Sequence, residues 1–276
     1  MTLHVEYRGS EFAYRANRKL RHLRKQAYLL VRPAEQTHPV FLVGSGRSGT
    51  DIVAHSLSRC WEVEMINEDN PKAFENWRLR DLDSVEQVIR ASRAPVIAFK
   101  PIVETLHAGR FIDRFPGSKA IFLVRHPYDA INSMARFFGE RHVDTVKAWV
   151  ATDFAEQSTA PEGLRAFIRS KCTSNLSIPD AAALYWLLYN DSYRFLELHH
   201  NPAVLLVGYE QLVQNPEATT RALASFVGLK WSEGMMANIY DRSVRKHHKP
   251  ALDTEIEARC LQTWAYLQGE LNARGA

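Results

Sequence analysis

Apolar and polar residues follow one another along this chain in blocks of two different periods, and the blocks alternate. "PVFLVGSG", Pro39 to Gly46, is a short and nearly continuous apolar run that ends in glycines. Such a run suits a strand buried on both faces that feeds a tight turn. "APVIAF" (Ala94 to Phe99), "KAIFLV" (Lys119 to Val124) and "AVLLVG" (Ala203 to Gly208) have the same character and predict three further buried strands. Between them the apolar residues recur at helical spacing, in "TDIVAHSLSRC", "DSVEQVIRAS", "HAGRFIDRF", "DAINSMARFF", "DAAALYWLLYNDSYRFLELHH" and "PEATTRALASFVGL". Strands alternating with helices predict an α/β fold, a central parallel β-sheet flanked by helices on both faces, with ligands at the carboxyl ends of the strands. No internal repeat or low-complexity linker divides the pattern. Residues 1–276 therefore read as one domain, with a basic helical extension over 1–37 and a less regular surface excursion over 161–180.

Composition narrows the class without naming a chemistry. The 276 residues, 46% hydrophobic and 24% charged, suit an ordinary soluble globule. Net charge is +4, from 35 Lys and Arg against 31 Asp and Glu. No broad basic field points to nucleic acid, so an anionic ligand has to be held by a local site. Cys60, Cys172 and Cys260 are far apart and form no Cys-x-x-Cys pair, which argues against a disulfide framework or a zinc site and predicts a reducing, cytoplasmic setting. Nothing approaches the ~18 uninterrupted apolar residues of a membrane span. "RANRKLRHLRKQAYLLVR", Arg15 to Arg32, interleaves basic residues with Leu20, Leu23, Tyr28 and Leu29. It is expected to lie across the domain as a solvated helix, without membrane contact.

Candidate chemistry begins where the first strand ends. "GSGRSGT", Gly44 to Thr50, places glycines between a strand and a helix, where successive N–H groups and the positive helix end face an anion. A Walker nucleotide loop reads Gly-x-x-x-x-Gly-Lys-[Ser/Thr]. Gly44 and Gly49 keep that separation, but Thr50 stands where the lysine belongs and Asp51 where the metal-binding hydroxyl belongs. Arg47 and Ser48 suit a phosphate-like group, while the parts that handle ATP with Mg²⁺ are missing. Downstream, "IFLVRHPYDAINSM" ends a strand at Arg125 and starts a helix that carries Ser133 eight residues on. An arginine fork and a hydroxyl there clamp a second phosphate. Two phosphate sites imply a nucleotide phosphorylated at two places.

With "VGYEQLVQNPEATTRALASFVGL" (Val207 to Leu229), these segments resemble, in order, the signatures of sulfotransferases that use 3′-phosphoadenosine 5′-phosphosulfate (PAPS), and the layout is most similar to the tyrosylprotein branch. The resemblance implies a P-loop NTPase-like sheet and a metal-free transfer of a sulfuryl group to a hydroxyl or amine of a small-molecule acceptor. It implies that Gly46, Arg47, Ser48, Gly49 and Thr50 bind the 5′-phosphosulfate. Arg125 and Ser133 would bind the 3′-phosphate, Tyr209 would lie beside the adenine or ribose, and Arg245 and Lys246 of "DRSVRKHHKP" would close over the 3′-phosphate. Asp51 departs from the family pattern and is expected to turn away, capping the helix or binding Arg47. Glu68, twenty-one residues beyond Arg47, matches the branch's general base, with Asp69 and Glu64 as alternatives. Lys100 and Arg47 would stabilise charge on the transferred group. His126, inside "RHP", adjoins the 3′-phosphate motif, away from the reacting sulfur. The competing reading is a small-molecule kinase or other P-loop NTPase, which the absent Gly-Lys-[Ser/Thr] disfavours. Oligomeric state is left open between monomer and homo-oligomer.

Overall fold

A computed structural model of the chain describes residue 20 and residues 23–237, 239 and 248–273. In chain order the elements are helix α1 (23–31), strand β1 (His38–Gly44), α2 (Thr50–Ser58), β2 (Val63–Ile66), the short strands β3 (Phe74–Glu75) and β4 (Arg78–Leu79), α3 (Leu82–Ala91), β5 (Val96–Phe99), α4 (Ala108–Arg114), β6 (Lys119–Val124), α5 (Pro127–Phe138), α6 (Arg141–Ala151), α7 (Glu162–Lys171), α8 (Ile178–Phe195), β7 (Val204–Gly208), α9 (Tyr209–Gln214), α10 (Pro216–Phe226) and α11 (Thr254–Ala273).

The four apolar runs form β1, β5, β6 and β7, and β2 joins them in a parallel sheet of order β2-β5-β1-β6-β7. Along β1 the side chains alternate between two cores, Phe41 and Val43 on one face, Val40 and Leu42 on the other. Because both faces are dry, the strand reads as unbroken apolar sequence. One core packs Phe41 against Phe99, Phe111 and Phe115, with ring centroids 5.5, 4.8 and 5.9 Å apart. It continues into α8, whose Trp186 and Tyr193 are fully buried. The other core packs Val53 and Leu57 of α2 and Leu223 of α10 on the opposite face.

Register places the site. Gly44 pairs with Leu123 across β1 and β6, and Val124 pairs with Gly208 across β6 and β7. The three segments that leave these strands, at Ser45, Arg125 and Tyr209, therefore emerge side by side at one end of the sheet.

One expectation changes. Residues 161–180 are not simply an irregular excursion, since α7 occupies much of the stretch and buries Leu164 and Ile168 one turn apart. Pro161 and Pro179 look like breakers, but Pro161 is the N-cap of α7 and α8 carries a proline in its first turn, where a missing N–H costs nothing. In α1, Leu29 is buried, Tyr28 meets Trp61 in a tilted ring contact (5.7 Å) and Lys25 Nζ donates to the Ser58 carbonyl (3.0 Å), whereas Leu23 faces solvent. One helix face can touch the domain, and positions 25, 28 and 29 occupy it.

Candidate active site

The loop after β1 has a backbone that few other sequences would tolerate. Gly44 has φ +130°, and a Cβ there would lie 2.3 Å from the Leu123 carbonyl oxygen. Gly49 has φ +97°, and its Cβ would fall 2.6 Å from the Tyr209 ring. Arg47, with φ +66°, takes the left-handed conformation without being glycine, a strained choice that recurs at ligand sites. Ser48 Oγ donates to the Ser45 carbonyl (2.6 Å). Thr105 Oγ1 accepts from the Gly44 N–H (2.9 Å) and lies within donating distance of the Gly44 and Ile102 carbonyls (3.0 and 2.8 Å). No side chain caps α2 at Gly49, so orphan N–H groups and the positive helix end face the concavity. Ser45 Oγ, buried in the same loop, has no hydrogen-bond partner.

Arg125 and Ser133 meet this loop directly. Arg125 Nη1 donates to the Arg47 carbonyl (3.3 Å), and its guanidinium carbon lies 4.2 Å from the centroid of the Tyr209 ring. Trp186 Nε1 donates to the Arg125 carbonyl (3.3 Å) and fixes the backbone from below. Arg47 Nε donates to Ser133 Oγ (3.1 Å), and Arg47 lies over the Phe137 ring at 4.7 Å. Burial lowers the pKa of Arg47, Asp51 opposes that shift and Arg125 reinforces it. His126 serves the scaffold here: its Nδ1 accepts from the Tyr128 N–H (3.3 Å) at the N-cap of α5, and its own N–H donates to Glu210 Oε1 (3.0 Å).

Asp51 neither caps α2 nor pairs with Arg47. Its Oδ1 lies 2.7 Å from Lys100 Nζ, which also reaches Glu68 Oε2 at 2.9 Å. From the first turn of α2 its side chain swings to the end of β5, where a largely buried ammonium offers more than the already occupied Arg47 guanidinium. Burial would lower the pKa of Lys100, but Glu68 and Asp51 together outweigh it and raise the value. Burial raises the pKa of Glu68, against the pull of Lys100. Of the alternative carboxylates, Asp69 is close enough to push Glu68 further up, while Glu64 is occupied by the Ser92 hydroxyl at 2.6 Å. Arg245 and Lys246 lie outside the described residues.

A further buried carboxyl, that of Glu104, borders the site. Glu104 sits between Thr105, clamped to the glycine loop, and Val103, whose carbonyl accepts from the Tyr189 hydroxyl (3.0 Å). Burial pushes its pKa up to about 7, and its Oε2 is buried without a hydrogen-bond partner. Tyr189 stacks on Tyr185 at 4.2 Å, and both phenols feel the charge of Glu104. The sequence signal is Glu104 itself, four residues beyond Lys100 in "AFKPIVETLH". Burial lowers the pKa of His107, and pushes that of His142 down to about 4.

With this geometry in hand, the profile of the sulfotransferase family matches residues 67–233. The match begins beyond the glycine loop and contains Glu68, Lys100, Arg125, Ser133 and Tyr209. No curated protein sequence matches the chain. Among solved structures it is similar to the sulfotransferase domain of the Synechococcus PCC 7002 olefin synthase, at 15% identity and TM-score 0.52, covering 86% of this chain and 97% of that one. It is also similar to a sulfotransferase from Alicyclobacillus acidocaldarius (18% identity, 85% and 94% covered, TM-score 0.48) and to a mouse sulfotransferase complexed with PAP (17% identity, 78% and 67% covered, TM-score 0.40).

Proposed function

The chain belongs to the sulfotransferase family, and on that premise we propose that it moves a sulfuryl group from PAPS to a hydroxyl or amine of a small-molecule acceptor, leaving 3′,5′-adenosine bisphosphate (PAP). The observation that carries this reading is the junction of two anion sites: Arg125 reaches the Arg47 carbonyl, and Arg47 reaches Ser133. A nucleotide with phosphates at both 5′ and 3′ positions suits such a junction better than a triphosphate chain does.

The residues present fit that nucleotide. Gly44 and Gly49 leave no room for a Cβ, Ser45 Oγ is an orphan in the loop, and the uncapped start of α2 awaits an anion. Gly46, Arg47, Ser48, Gly49 and Thr50 hold the 5′ end, Arg125 and Ser133 the 3′-phosphate, and Tyr209 flanks the nucleoside. Arg245 and Lys246 complete the 3′ side in the same reading. When bound, PAPS supplies the activated sulfuryl group. Lys100 keeps its proton because two carboxylates face it, and it cancels the Asp51 charge that would otherwise repel the donor. Glu68, made more basic by burial, takes the proton of the attacking hydroxyl or amine.

Calorimetry tests the assignment. PAP is expected to bind without added metal, and ATP with Mg²⁺ to bind far more weakly; the reverse order would assign the site to a kinase or NTPase. Glu68→Gln should lower turnover at unchanged PAP affinity, and turnover equal to wild type would move the base elsewhere.

A further inference from the structure

Leu20 is 45% exposed, Leu23 61%, Leu30 59% and Val31 80%, and Trp61, packed against Tyr28, is 42% exposed. These are five of the eight large apolar side chains exposed among the described residues, and they cluster around α1 and the turn after α2. Leu23, Ala27 and Leu30 fall at helical spacing on one face. The opposite face is already anchored by the Lys25 bond to Ser58, the Tyr28–Trp61 contact and buried Leu29. A helix that is apolar on both faces suits cover on both sides, and among the described residues one side lacks it.

Charge identifies the occupant. Over residues 23–32 the basic residues are Arg24, Lys25 and Arg32, and no Asp or Glu offsets them. A second copy would set this segment against an identical one and stack like charges. An anionic bilayer complements it, because leucines enter the acyl boundary while the basic stems lie along it with their heads among the phosphates. Trp61 is the residue type that settles at such an interface. We infer that α1 and Trp61 form a docking face for anionic membrane surfaces, replacing the solvated helix expected from the pattern alone.

The face also has a direction. Lys25 holds the carboxyl end of α2, and the phosphate loop holds its amino end. A helix of nine residues separates the two by about 14 Å, so the mouth of the site lies at the far end of the sheet from the docked face.

Co-sedimentation of the full chain with vesicles of phosphatidylcholine, alone or mixed with phosphatidylglycerol, tests the inference. The expected result is binding to the mixed vesicles only, weakened by salt, and weakened at least about tenfold in the double variant Leu23→Ser/Leu30→Ser. Both positions are exposed, so the variant should keep the wild-type melting temperature and PAP affinity. Failure of the wild type to sediment with the mixed vesicles would overturn the inference, as would equal binding by the double variant. A concentration-dependent dimer in ultracentrifugation, abolished by the same substitutions and accompanied by no vesicle binding, would assign the face to a second copy instead.

Discussion

Arg125 is held from three sides: its carbonyl by Trp186, its guanidinium by the Tyr209 ring and by the Arg47 carbonyl. Such an arginine is already oriented before a ligand arrives, so little side-chain entropy is lost on binding. Arg125→Ala should weaken PAP binding by about 2–4 kcal/mol, measured calorimetrically; an unchanged dissociation constant would remove Arg125 from the site. Glu104 makes a different prediction. Its folded-state pKa, about 7, lies above the ordinary 4.5, so the native state binds more protons than the unfolded chain between those values. Stability should fall as pH rises from 4.5 toward 7, and Glu104→Gln should flatten that decline in thermal midpoints taken across the range. At this scale the sequence was legible where motif spacing is strict, as for Arg47, Arg125 and Ser133. The place of Asp51 in the Asp51–Lys100–Glu68 chain was not, because that chain joins residues on α2, after β2 and after β5 whose side chains meet only when the sheet is assembled.

The β3–β4 hairpin turns on Asn76 and Trp77, with φ +50° and +67°. That turn favours Asn-Gly, so a tryptophan in the second position is strained. Beside it, Arg78 grips Glu156 with two bonds, at 3.2 and 2.7 Å, and holds the hairpin in place. Relief of strain and the greater flexibility of unfolded glycine oppose each other, so Trp77→Gly should raise stability by no more than about 1 kcal/mol in denaturant melts. A loss larger than that would mean the exposed indole packs against something in solution. Element legibility follows burial. Strands dry on both faces were plain, whereas β2, at the sheet edge with Glu64 and Met65 half-buried, lacks an unbroken apolar run. In α11 the buried Ile256, Cys260, Trp264, Leu267 and Leu271 trace a helical stripe, but nothing in the stripe says which face of the sheet it covers.

In the whole molecule, the glycine loop and Arg125 lie far apart in sequence yet act as one site because Gly44 and Leu123 share a register. Ligand binding should therefore brace β1 and β6 together. PAP at about a hundred times its dissociation constant adds about 2.7 kcal/mol, which for a chain of this size raises the melting temperature by about 5 °C. ATP with Mg²⁺ at the same concentration should leave it almost unchanged, and an equal shift would count against the assignment. The alternation of strands and helices made the layering readable from the sequence. The outward turn of Leu23 and Leu30 was not, because a helix apolar on two sides does not declare which of them meets the domain.

One consequence concerns α2 as an electrical object. Its amino end is built to receive an anion, and the Ser58 carbonyl at its carboxyl end accepts from the Lys25 ammonium. Each pole of its dipole thus faces the sign of charge it favours. The glycine loop and α1 sit at the two terminals of a single nine-residue rod, and Lys25→Met would discharge one terminal without touching the other.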